Sequence, residues 1–77
     1  MQVIVVYKNE TPFIYTLPKY ESVFLYQEDK GNVQVLGVSI HFLEKEDKNV
    51  CTIITASERM ITNTELKKLV SQLHHPT

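Results

Sequence analysis

The first third of the chain carries apolar residues on both strand parities at once. In QVIVVYK (residues 2–8), Val3, Val5 and Tyr7 share one face of an extended strand, and Ile4 and Val6 share the other. A strand apolar on both sides is normally covered on both sides, which makes it an interior strand. FIYTL (13–17) is bracketed by Pro12 and Pro18; proline cannot donate to a ladder, so this segment reads as a short edge strand or an extended loop. SVFLYQE (22–28) sets Val23 and Leu25 opposite Phe24 and Tyr26. DKGN (29–32) has the chemistry of a tight turn leading into a strand from Val33. EKEDKN (44–49) is a charged turn, and VCTIITA (50–56) is a last β-branched strand.

One segment breaks the pattern. In VQVLGVSIHFL (33–43), Val33 and Val35 are apolar on odd positions, but Val38, Ile40 and Phe42 are apolar on even ones. A strand of period two cannot make that change and keep one face on a core. One extra residue at Leu36-Gly37 would restore a single inward face, so the pattern predicts a β-bulge or bend at Gly37, with Ser39 and His41 turned outward. The alternative is a break at Gly37 that sends the second half to another sheet.

The period changes from two to 3.6 in ITNTELKKLVSQLHH (61–75). Leu66, Leu69, Val70 and Leu73 fall at i, i+3, i+4 and i+7, one apolar stripe of a helix. Thr62 and Glu65 have the spacing of a capping box, Ile61 and Leu66 that of a hydrophobic staple, and Pro76 stops the helix. The order β-β-β-β-β-α predicts a single α+β domain over 1–77. Its core is a curved antiparallel β-sheet, half-open and barrel-like, with the helix packed on the concave face or plugging the barrel.

A chain of 77 residues buries only about 60–65% of its extended surface, so stability is marginal and cover from a partner is expected. The lone Cys51 excludes an internal disulfide, VIVVY (3–7) is too short for a secretory h-region, and no segment approaches the ~20 apolar residues of a membrane span. The expected setting is cytoplasmic, with no membrane partner. A net charge of −1 lacks the basic footprint of a duplex-binding protein.

Candidate chemistry is sparse. His41 lies mid-strand near Glu44 and Glu46, and Ser39 is two residues away, but no nucleophile elbow surrounds that serine. His74 and His75 are adjacent, and on a helix they diverge by about 100°, so they do not chelate one metal. Cys51 has no local helix terminus or base to lower its pKa, and reads as a small buried hydrophobe. Glu44, Glu46 and Asp47 lack the spacing and glycine of a calcium loop. No catalytic residue, metal site or cofactor is therefore assigned.

The aromatic residues are more informative. Phe13, Tyr15, Tyr20, Phe24 and Tyr26 crowd into residues 13–26, accompanied only by Lys19 and nearby Lys30. Single-stranded nucleic-acid platforms combine such rings with a positive groove, and here the positive charge is thin. Core packing accounts for part of the cluster, and the remainder suits a protein interface. The sequence thus predicts a small non-enzymatic protein-binding module (a regulator, subunit or inhibitor). Chains of this size and simplicity occur among phage-encoded inhibitors of host proteins. Self-association as a homodimer is expected, with Tyr15, Tyr20, Phe24, Tyr26 and His41 as partner-binding residues. The alternative is a single-stranded nucleic-acid binder using the sheet aromatics.

Overall fold

A computed structural model describes residues 1–8, 10–28, 30–44 and 47–73. Five strands and a helix follow in the expected order: β1 (Gln2–Val6), β2 (Phe13–Thr16), β3 (Val23–Gln27), β4 (Val33–Glu44), β5 (Val50–Ser57) and α1 (Asn63–Gln72). The sheet order is β2-β1-β5-β4-β3. Three pairings are antiparallel, and β1 and β5 pair parallel, joining a β1–β2 hairpin to a β3–β4–β5 meander. The β3–β4 turn uses Gly31 at φ +86, with Glu28 N–H donating to the Asn32 carbonyl at 2.8 Å.

Alternation along the strands separates two cores. Ile4, Val6 and Ile53 lie on one face and pack with Ile61, Leu66 and Leu69, so this face carries α1. Val3, Val5, Tyr7, Leu36 and Ala56 lie on the other face, flanked by Leu17, Phe24, Tyr26 and Val38. In a flat five-stranded sheet the edges β2 and β3 would stand about 19 Å apart. Instead Tyr15 of β2 meets Phe24 of β3 edge-on with ring centroids 5.3 Å apart, and Phe13 approaches Tyr26 at 6.4 Å. The sheet therefore curls into a half-barrel around the aromatic face. The helix lies on the convex face, outside the curl, and not on the concave face as expected; the chain's own edge aromatics fill the concave side.

The strand β4 contains neither a bulge nor a break. Its register with β3 is constant from Val23↔Gly37 to Gln27↔Val33, and with β5 from Gly37↔Ser57 to Glu44↔Val50. Gly37 has no positive φ. What changes along β4 is which side is covered. Leu36 is buried and Val38 half-buried in the concave core, whereas His41 and Leu43 are half-buried on the helix side. The apolar pattern runs in the opposite sense, so Val33 and Val35 are left exposed on the convex face, and Ile40 and Phe42 on the other.

The helix begins as its sequence predicts. The Thr62 hydroxyl accepts the Glu65 amide at 3.2 Å, and Ile61 and Leu66 are buried together. The Glu65 carboxylate sits below its ordinary pKa, first because of Arg59 and to a smaller extent through the Thr62 amide. Arg59 grips it with both terminal nitrogens, at 2.8 and 2.5 Å. The predicted stop at Pro76, with His74 and His75, lies outside the described residues, as do Asn9, Asp29, Lys45 and Glu46.

Candidate interaction surfaces

The residues singled out by sequence separate into three places. Tyr15, Phe24 and Tyr26 come together on the concave face, where Tyr26 also stacks on Tyr7 at 4.7 Å. Phe24 and Tyr26 are half-buried and belong to the concave core, while Tyr15 keeps about half its surface exposed. Tyr20 is exposed on the β2–β3 connection. His41 lies on the opposite, convex face, where Nε2 is hydrogen-bonded to Oγ1 of the buried Thr55 at 2.9 Å. Burial lowers the His41 pKa, favouring the neutral ring.

Among the described residues, two clusters of apolar side chains have no cover. The first is on the convex face beside α1, where Leu25 lies opposite Val35, and Val23 and Val33 flank them on β3 and β4. Leu25 is 66% exposed and Val35 63%. Met60, almost fully exposed, borders a shallow groove shared with Val35, Gly37 and Ser57. The second cluster is on the reverse face of the far β4–β5 hairpin, where that hairpin extends beyond β1. There Ile40, Phe42 and Val50 are exposed, Phe42 at 71%. Sequence reasoning missed both clusters as sites, although the parity change in 33–43 was their signal. It marks apolar residues for which no single core has room.

The polar grooves are modest. Tyr7, Lys8, Glu10, Tyr26, Glu28 and Lys30 line one of about 320 Å³ at the end of the half-barrel. Tyr7 donates to the Glu28 carboxylate, which, together with burial, raises the phenol's pKa, and the Lys8 ammonium stands 5.1 Å from the Tyr7 ring centre. Cys51 is a free, half-buried thiol whose Sγ donates to the Leu43 carbonyl at 3.3 Å, against the α1 core. Among the described residues no three of His, Cys, Asp and Glu converge as a metal site, and no helix is long and apolar enough to cross a membrane. Comparison with known proteins returned no matching family model, no similar curated protein and no similar solved structure.

Proposed function

We propose that the chain is a small non-enzymatic protein-binding module, a regulator, subunit or inhibitor that works through apolar protein–protein contact and self-associates in a reducing, cytoplasmic setting. The observation that carries this reading is the pair of uncovered clusters, Val23/Leu25/Val33/Val35 and Ile40/Phe42/Val50. Contiguous apolar surface on so small a domain is the usual mark of an interaction site. A non-catalytic role is supported by what the reactive side chains do instead: His41 is committed to Thr55, and Cys51 to the Leu43 carbonyl. The rings that would serve a nucleic-acid platform are packed on one another across the half-barrel.

The test is co-purification from nuclease-treated extract of cells that express the protein, using the wild type, Leu25→Lys and Phe42→Lys as baits. Both positions are exposed, so both variants should keep the fold, which circular dichroism checks. A stoichiometric partner held by the wild type and lost with one variant is the expected result. Equal retention by all three baits, or no retained protein from a chain that also stays monomeric, overturns the reading. Binding to a single-stranded oligonucleotide that falls steeply with salt would favour the nucleic-acid alternative instead.

A further inference from the structure

We infer that the outer edge of β3 pairs with β3 of a second copy, antiparallel about a two-fold axis at Leu25, making one continuous sheet of two half-barrels. This deepens the protein-binding reading and rests on it. The argument begins with which backbone groups the edges leave free. Val38 N–H donates to the Ser22 carbonyl, and Glu28 N–H to that of Asn32. Both pairs continue the β3–β4 register. Even-numbered residues of β3 therefore turn their backbone groups to β4, and Val23, Leu25 and Gln27 turn theirs outward.

The two sheet edges are not equivalent. At β2, Met1 and Leu17 exchange hydrogen bonds at 2.7 and 2.8 Å, in register with Gln2↔Thr16 to Val5↔Phe13. Odd residues thus face β1, and the outward positions are 12, 14, 16 and 18. Prolines occupy the first and last of these, removing the outward donors at both ends of the edge, a known way to block strand addition. The edge of β3 has no such protection, since Val23–Gln27 holds no proline, no charge and no bulge.

Self-complementarity selects a second copy as the occupant. With the axis at Leu25, the outward groups of Leu25 meet those of Leu25 in the second copy, and those of Val23 meet Gln27. Every outward N–H and C=O of the strand is then satisfied. Phe24 falls opposite Tyr26, no like charges face each other within the strand, and the Leu25/Val35 clusters of the two copies become contiguous. The exposed apolar surface of Val23, Leu25, Val33 and Val35 is a few hundred Å² per copy, roughly half of the ~800 Å² that each side of a standard interface buries. The dimer is accordingly reversible and concentration-dependent.

Sedimentation equilibrium between about 10 µM and about 1 mM covers the range expected of so small an interface. The wild-type mass should rise toward twice the monomer value. Gln27→Pro removes an outward donor and none that faces β4, so it should keep the circular-dichroism spectrum and weaken association at least tenfold. Leu25→Lys should do the same by placing two cations at the axis, and provides the test should the proline variant fail to fold. Phe42→Lys, on the other cluster, should dimerise like the wild type. A wild type that stays monomeric throughout, or a folded Leu25→Lys that dimerises normally, overturns the inference. A monomer that still retains a partner in the co-purification would overturn the dimer and leave the protein-binding reading standing. A dimer that retains no other protein would support this inference and confine the reading to self-association.

Discussion

Gly37 stands in the middle of β4, paired with Val23 on one side and Ser57 on the other. A Cβ placed there would meet only the Ser57 carbonyl, at 3.9 Å, an ordinary contact. Glycine inside a regular strand weakens it, so Gly37→Val should be neutral or stabilise by up to about 1 kcal/mol in a denaturant titration. A clear loss would indicate a local distortion of β4. His41 gives a second prediction at this scale. Its pKa is lowered by burial in the fold, so the unfolded chain binds its proton more readily. The His41 contribution to stability is present above the ordinary value of about 6.5 and is lost as pH falls through that value toward the folded pKa. His41→Gln can keep a hydrogen bond to Thr55 and should flatten the stability–pH profile below about 6.5 relative to the wild type.

At the scale of the element, α1 has its first turn fixed by three side chains. Thr62 caps the helix, Glu65 returns toward the Thr62 amide, and Arg59 holds the same carboxylate from outside the helix. Thr62→Ala should cost about 0.5–2 kcal/mol. Its cost and that of Glu65→Ala should not add, because the two share one end of the helix, and a double-mutant cycle read by thermal unfolding measures the coupling. The cap and the staple were legible in the sequence because both are local: the cap joins residues three apart, and the staple joins the residue just before the cap to the first turns of the helix, whatever the rest of the chain does. Arg59 was not legible as their partner, since it lies outside the helix and is brought to Glu65 by the turn after β5. The strands were equally legible as elements. The role of β4 was not, because a parity change has several geometric solutions and only the cover on each face selects among them.

For the whole molecule, curling decides which aromatics are structural and which apolar residues are left outside. Phe24 closes the seam between the two edge strands, and Phe42 projects from the far hairpin. Phe24→Ala should therefore cost about 2 kcal/mol or more, whereas Phe42→Ala should change stability by no more than about 0.5 kcal/mol. Comparable losses at both positions in urea titrations would mean that the seam contributes little. The contrast also sets the exposed Phe42 apart from Phe24 and Tyr26, which are half-buried in the concave core. They cluster in sequence with Tyr15 because β2 and β3 are consecutive, and the curl then folds them against each other.

The number, order and type of elements, the cap of α1 and the edge character of β2 all follow from local patterns in the chain. Each depends on side-chain period, proline or spacing within a few residues, and local sterics suffice to read those. The parallel pairing of β1 with β5, the place of α1 on the convex face, and the exposure of Val23, Leu25, Val33, Val35, Ile40 and Phe42 emerge with the assembled fold. Those outcomes turn on contacts between residues far apart in the chain and on the direction in which the sheet curls. An apolar residue in a sequence states only that it is better out of water; which neighbour removes it from water is a property of the assembled fold.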